Sequence, residues 1–363
     1  MLVVRKINNQ SVQGQSELPT YTSSTKNIPI EINVAANKDK ITEVRLYHNN
    51  KSISTQLGNG QETYEFNVSL NSVFGEQNSI YAIASTADGI DSEKCKMIVN
   101  YKGSDQSKPK LHVLVIGINQ YLNPKYQLNY ALPDAKAVGD QLQNSGSTLF
   151  ESVEVKTLFE ADATKAKITK AFQELSTQVR EQDIFLFYYA GHGTMSDVTQ
   201  EFYIVPQDVT QLYGNDAMLN EKAFSATDLK KLSVSINAQK QVFILDACHS
   251  AGALGAAATR GAAEERAIGQ LARSTGTFWL TAAGSDQFAT EFAQLGHGVF
   301  TYSLLEILQG KDVSSSADGT ITIRELSSYV EQRVPELSQQ YKGKPQYPSS
   351  FSFGNDFPLY IKK

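Results

Sequence analysis

Two residues carry the types and placement from which chemistry could start, His192 and Cys248. His192 sits between Gly191 and Gly193, directly after the apolar run DIFLFYYA (183–190), and Cys248 directly follows QVFILDA (241–247). An imidazole beside a thiol forms a nucleophile–base pair: the thiolate attacks a carbonyl and the imidazolium then protonates the leaving group. Glycines on either side of the histidine let the chain turn sharply and let a substrate backbone come close. The amides of Gly193 and Cys248 are candidates for an oxyanion hole. Each residue also has a plainer reading. A cysteine after a buried strand is commonly a small core residue, and a histidine between glycines is commonly a turn. His249 competes as the base, but the chain neighbour of a nucleophile is expected to point elsewhere. His48 and His112 read as surface or capping residues. His297, in GHGV, reads as the turn that opens a helix, with no partner evident.

The elements that must position this pair follow from periodicity. HVLVIGI (112–118) is continuously apolar, as in a strand buried on both faces. A helical stretch from Asp134 to Leu142 follows, then the strand VEVKTL, a helix opened by Thr164, and the strand ending at His192. Ser225 and Asp228 open another helix, before the strand that ends at Cys248. TFWLTAA, a helix after Gly298 and a helix capped by Thr322 and Glu325 complete the run. Alternating apolar strands and helices predict a parallel α/β sheet covered by helices. Such sheets bind ligands outside the carboxyl ends of their strands, where His192 and Cys248 both emerge.

Upstream the texture changes. Residues 25–102 hold short alternating runs such as IPIEINVAA, ITEVRLYHN and TYEFNVSL, broken by NKDK, NNKS and GNG. This predicts a small immunoglobulin-like β-sandwich with a recruiting or regulatory role. Residues 1–24 read as an extended lead-in, 103–110 as a linker, and 111–363 as the α/β domain. The two cysteines, Cys95 and Cys248, fall in different domains, and no Cys/His metal spacing is present. Cys95 reads as a buried strand residue. With net charge −5 and pI near 5.7, neither nucleic acid nor membrane is an expected partner. No signal peptide or long apolar segment is evident, so the expected compartment is the cytoplasm.

YYAGHG and ILDACHSAG together resemble the catalytic signatures of clan CD cysteine peptidases (peptidase family C14), the caspases, metacaspases and bacterial caspase-like proteins. The resemblance spans about 111–360, through HVLVIGINQY, LNYALPDA, TAAGSDQFATE and GHGVFTYSLLEILQGK. It implies a caspase-hemoglobinase fold, with His192 and Cys248 as the dyad of a cysteine endopeptidase acting on proteins or peptides. The GHG and CHSAG elements are closer to metacaspases than to animal caspases, although Ala251 departs from the CHSG pattern.

The same resemblance places a substrate pocket at Asp134 and Asp246, with Ala131 and Ala190 at its smaller positions. An acidic pair there would take a guanidinium or ammonium, giving cleavage after Arg or Lys. On their own, Asp134 also reads as a helix N-terminal residue favoured by the dipole, and Asp246 as a brace for the loop after its strand. Metacaspases are often calcium-dependent, but only Asp197, Asp208 and Asp216 stand in the relevant insertion, widely spaced, so no cofactor is expected. The small-residue segment 250–278 reads as an exposed loop where the family joins its subunits. Arg260, Arg266 and Arg273 are its candidate self-cleavage positions. Two alternatives remain: an inactive caspase-like scaffold, and a protease directed to Asp.

Overall fold

The computed structural model describes residues 2–7, 10–11, 18–34, 40–103, 107–145, 149–196, 198–249, 257–282, 291–292, 296–311 and 319–361. Two compact units emerge, residues 1–107 with 180–182, and residues 108–179 with 183–363.

The first unit is a two-sheet β-sandwich. One sheet contains β1 (Leu2–Ile7), β2 (Gln10–Ser11), β4 (Asn27–Val34) and β7 (Thr63–Ser69) in the order β2-β1-β4-β7. The other contains β3 (Thr20–Ser23), β5 (Ile41–His48), β6 (Lys51–Leu57), β8 (Gln77–Thr86) and β9 (Cys95–Tyr101) in the order β3-β9-β8-β5-β6. Strict alternation builds the core: Ile28, Ile30, Ile32 and Val34 of β4 meet Tyr64, Phe66 and Val68 of β7, and Val44, Leu46, Ile80, Met97 and Val99 of the second sheet. This all-β unit fits an immunoglobulin-like domain.

Three expectations for this region change. The lead-in at 1–24 is not free of structure, because Leu2–Ile7 pairs antiparallel with β4; its LVVRKI run is apolar enough to join the sheet. His48 is not a surface residue but is 2 % exposed, with Nε2 2.6 Å from Asn78 Oδ1. Cys95 opens β9 and is half-buried. The β5–β6 turn places Asn49 and Asn50 at positive φ, 50° and 73°, a conformation asparagine tolerates. It carries Lys51, 1 % exposed, into the interior.

The second unit is built on one sheet. Its strands are β10 (Leu111–Gly117), β11 (Val153–Phe159), β12 (Ile184–Met195), β15 (Lys240–His249), β16 (Phe278–Thr281) and β20 (Ser349–Ser352), ordered β11-β10-β12-β15-β16-β20. All pair in parallel except the edge strand β20. Short strands β13 (Phe202–Ile204) and β14 (Phe224–Ser225) extend β12. Helices α2 (Lys165–Gln178), α4 (Ala226–Ser235) and α5 (Ala257–Thr275) pack on one face. Helices α1 (Ala131–Ser145), α6 (Val299–Leu308) and α7 (Ile323–Lys342) pack on the other. A short α3 (Asp216–Lys222), the pair β17 (Glu291–Phe292) with β18 (His297–Gly298), and the pair β19 (Thr320–Thr322) with β21 (Pro358–Ile361) complete the domain. This is the caspase-hemoglobinase arrangement.

The α2 face is aromatic. Phe172, Phe185, Phe187 and Phe243 interlock, and Trp279 stacks on Phe243 with ring centroids 4.3 Å apart and planes at 4°. Trp279 is 1 % exposed, and its Nε1–H donates to Thr277 Oγ1 at 2.8 Å.

The expected loop at 250–278 is, over Ala257–Thr275, helix α5 instead. Alanine is the best helix former, and Ile268, Leu271 and Ala272 recur at helical spacing to bury against the sheet. Gly269, which reads as a loop signal in sequence, is a packing residue: a Cβ there would stand 3.0 Å from the Phe351 ring of β20. His112, expected at the surface, is 2 % exposed within β10, between Glu154 and Asp183. The helix expected at Asp134–Leu142 runs from Ala131 to Ser145.

Candidate active site

β12 and β15 are parallel neighbours, and His192 is the register partner of Cys248. Backbones of adjacent strands lie about 4.8 Å apart, so the two residues share one point on the carboxyl edge of the sheet. One step further, Gly193 pairs with His249. The side chains of Cys248 and His249 and the residues 250–256 lie outside the described residues.

Sequence accounts for the histidine's setting. A Cβ on Gly191 would stand 2.6 Å from Tyr121 Oη and 2.7 Å from Tyr189 Oη. Only glycine lets the strand pass between these two phenols. The same closeness lets the His192 main-chain N–H donate to Tyr121 Oη at 2.7 Å, while Tyr189 Oη donates to the His192 carbonyl at 2.8 Å. Gly193 lies under the Phe202 ring, 3.0 Å from where a Cβ would be.

The imidazole is 4 % exposed. Its Nε2 is 2.8 Å from the Tyr126 carbonyl oxygen. A carbonyl can only accept, so Nε2 carries the proton and Nδ1 holds the lone pair. Nδ1 is buried without a hydrogen-bond partner among the described residues. Tyr121 packs against the ring with centroids 4.7 Å apart, and Tyr126 edges it at 6.0 Å. Burial pushes the imidazole below its ordinary pKa, and the Tyr126 carbonyl partly restores it. The arrangement holds a neutral imidazole with one nitrogen anchored and the other available to take a proton.

A second polar cluster lies two residues down the same strands. Ala190 pairs with Asp246, and with Gly117 on the other side. Thr301 Oγ1 donates to Asp246 Oδ2 at 2.6 Å and lies 2.6 Å from Tyr188 Oη. Asp134, 3 % exposed in the first turn of α1, accepts from the Gly298 amide at 3.1 Å, and its Oδ1 is 2.6 Å from His297 Nδ1. A Cβ on Gly298 would be 3.1 Å from Asp134 Oδ2 and 3.7 Å from Asp246 Oδ2, so the two carboxylates flank one glycine. Tyr188 feels both: burial first, then Asp246 and Asp134, push its phenol well above the usual range. Ala131, 8 % exposed, starts α1, and its carbonyl approaches Gly117, where a Cβ would be 2.9 Å from the oxygen.

The fold thus brings Asp134, Asp246 and Ala190 to the same sheet edge as His192 and Cys248. It does not gather the insertion's acids: Asp208 pairs with Lys222 at 3.6 Å, Asp216 opens α3, and Asp197 lies outside the described residues. Among the described residues no group of three His, Cys, Asp or Glu side chains is placed to hold a metal. Arg266 and Arg273 are exposed on α5, Arg273 over the Phe353 ring at 5.5 Å; the Arg260 side chain lies outside the described residues. Sequence reasoning missed His297, Thr301 and the Tyr126 carbonyl. His297 has a partner after all, Asp134. No residue type could have flagged the carbonyl.

The caspase-domain peptidase family, Peptidase_C14, matches residues 110–355, and the chain belongs to that family. No curated protein matches it. Protein GSU0716 from Geobacter sulfurreducens is similar at 19% identity and a TM-score of 0.48, over 70% of this chain and 97% of its own. The fibronectin(III)-like modules of Clostridium thermocellum CbhA are similar at 13% identity and a TM-score of 0.21, over 29% of this chain and 100% of theirs. An AA10 lytic polysaccharide monooxygenase from Streptomyces lividans gives 14% identity and 0.20, over 25% and 64%. No helix among the described residues is long and apolar enough to cross a membrane.

Proposed function

We propose that the chain is a cysteine endopeptidase that cuts after Arg or Lys, with Cys248 as nucleophile and His192 as base. The observation that carries this is the pairing of His192 with Cys248 at the carboxyl ends of neighbouring parallel strands, with the imidazole anchored through Nε2 to the Tyr126 carbonyl. Nδ1 takes the thiol proton, and the thiolate bonds to the scissile carbonyl carbon. Amides in the region of Gly193 and Cys248 receive the oxyanion. The imidazolium protonates the leaving amine as the C–N bond breaks, and a water activated by the same imidazole hydrolyses the thioester. Asp134 and Asp246, with Ala131 and Ala190 beside them, receive the basic side chain that precedes the bond. Asp134 is buried and Asp246 half-buried, which raises the worth of a charge-assisted contact. The sandwich serves to recruit or regulate.

The test is hydrolysis of fluorogenic peptides ending in Arg, Lys or Asp, with and without calcium. Arg and Lys peptides should be cleaved and Asp peptides spared, and Cys248→Ala should lose at least about 10²–10³ in kcat/KM while staying folded. His249→Ala should leave activity in place. Preference for Asp would move the pocket. Absence of both turnover and labelling of Cys248 by an arginyl chloromethylketone would make the chain a scaffold.

A further inference from the structure

We infer that Glu160 is a positioning residue for the His192 imidazole, acting through the segment that joins β10 to α1. This rests on His192 being the base proposed above, but its test does not depend on turnover.

Glu160 directly follows β11 at φ 49°, the left-handed region that a side chain seldom adopts. Its own carbonyl accepts from the Ala163 N–H at 2.8 Å, closing a tight turn. The turn aims the carboxylate across to the neighbouring strand's end. Oε2 accepts from the Asn119 N–H at 3.0 Å and the Gln120 N–H at 2.8 Å. Oε1 is buried with no hydrogen-bond partner among the described residues. An acid held at positive φ, half desolvated, and spending one oxygen on two backbone amides is costly for a surface turn. What it secures is the origin of the segment.

Asn119 then closes the segment on itself. Its Oδ1 accepts from the Leu132 N–H at 2.9 Å, its Nδ2–H donates to the Asn129 carbonyl at 2.9 Å, and its carbonyl accepts from the Leu128 N–H at 2.9 Å. Entry into the segment and exit into α1 therefore meet at one residue, and Glu160 fixes that residue to β11. Apart from one short turn at Pro124–Tyr126, the enclosed residues have no regular structure. Beyond Asn119 they are tied to the 207–212 stretch, by the Leu122 N–H on the Gln207 carbonyl at 2.9 Å, Asn123 Nδ2–H on the Thr210 carbonyl at 2.7 Å and the Leu212 N–H on Tyr126 Oη at 3.3 Å. The enclosed residues supply the Tyr121 hydroxyl on the His192 amide and the Tyr126 carbonyl on Nε2. Of these anchors the Glu160–Asn119 contact alone sets where the segment starts and where it enters α1, so releasing it loosens the carbonyl that decides which imidazole nitrogen is protonated.

The variant is Glu160→Gly, since glycine suits the left-handed backbone while deleting the carboxylate; Glu160→Gln keeps one oxygen for both amides. Both are made in the full chain with Cys248→Ala, ¹⁵N-labelled at histidine. At a pH where the ring is neutral, the parent should show the Nε2–H tautomer for His192. Glu160→Gly should shift it toward a mixture of tautomers, and Glu160→Gln should restore the parent spectrum. With Cys248 present, Glu160→Gly should lower kcat about tenfold with KM within about twofold. A core variant of matched melting temperature, Phe172→Leu, should leave the tautomer unchanged. If Glu160→Gly keeps the parental tautomer, or Phe172→Leu alters it equally, Glu160 is a structural staple and the inference is overturned. If Glu160→Gly does not fold, Glu160→Asn takes its place, since asparagine tolerates the left-handed backbone and its shorter side chain does not reach both amides: a mixture of tautomers supports the inference and a parental tautomer overturns it. A wild-type chain that cleaves no peptide would count against the protease reading alone, since the spectra still report on Glu160.

Discussion

Asp134 and His297, 163 positions apart in the chain, meet at 2.6 Å through a carboxylate oxygen and an imidazole nitrogen. The carboxylate proposed to receive a substrate's cation already has an internal partner on β18. A substrate guanidinium therefore competes with His297 for Asp134. Replacing His297 by Ala should lower KM for Arg peptides about tenfold, the release of one hydrogen bond to a charged group worth about 1.5 kcal/mol. Asp134→Asn should raise KM by at least as much. Steady-state kinetics on both variants check this; a higher KM in His297→Ala would mean that His297 supports substrate instead of opposing it.

The pH dependence of the base follows from its burial. Desolvation disfavours the imidazolium of His192 more than the Tyr126 carbonyl favours it, so the folded pKa lies below the unfolded value of 6.5. The neutral base then survives into mildly acidic solution. As pH falls below 6.5 the unfolded chain takes up this proton before the folded one, and stability declines. Proton NMR of the Cys248→Ala chain, free of coupling to the thiol, should show His192 titrating below 6.5. A midpoint at or above that value would contradict the buried, carbonyl-anchored ring.

In the sandwich, burial lowers His48 to about 4 against the opposing contact from Asn78, and lowers Lys51 to about 7. In both cases the folded state binds fewer protons than the unfolded one. Stability should rise with pH from 4 to 6.5 through His48 and from 7 to 10.5 through Lys51, by about 1.4 kcal/mol for each pKa unit of difference. Lys51→Met should flatten the alkaline rise and raise stability at neutral pH. Urea unfolding of the full chain, followed by hydrogen exchange in β5 and β8, gives the slopes. Equal slopes in wild type and Lys51→Met would show that the amine is solvated.

Self-processing between Ser250 and Phe278 now carries a structural condition. A protease binds its substrate extended, and Arg266 and Arg273 stand within α5, with Ile268 and Leu271 burying its inner face. Helices open from their ends, so any cut should fall after Arg260 or Arg273, each within one turn of an end of α5, before it falls after Arg266 in the middle. The products on a denaturing gel, with N-terminal sequencing, test the order. A first cut after Arg266 would require the middle of the helix to open before its ends.

Much of the site was legible because its parts are strand ends. Continuous apolar runs identify buried strands, and the side chains that follow them must emerge at the sheet edge, so His192 and Cys248 could be placed together before their pairing was known, whereas Asp134 and Asp246 came only from the family resemblance. The remainder depends on distance or on the backbone. His297 meets Asp134 only through the tertiary fold, and the carbonyl of Tyr126 belongs to no residue type. Helix α5 was hidden by its glycines, one of which is there to admit the Phe351 ring. Leu2–Ile7 is too short a run to separate from its polar surroundings without its partner β4.

Trp279 is the chain's only tryptophan, and it lies sealed in the aromatic layer against Phe243, on the strand next to the one that carries Cys248. Its emission is therefore a private signal of the peptidase unit. Light excited selectively in the indole reports loosening of that layer and stays silent while the sandwich melts, whose aromatic chromophores are tyrosine and phenylalanine alone. One cuvette can thus separate the two unfolding events, with indole fluorescence following one and tyrosine absorbance registering both.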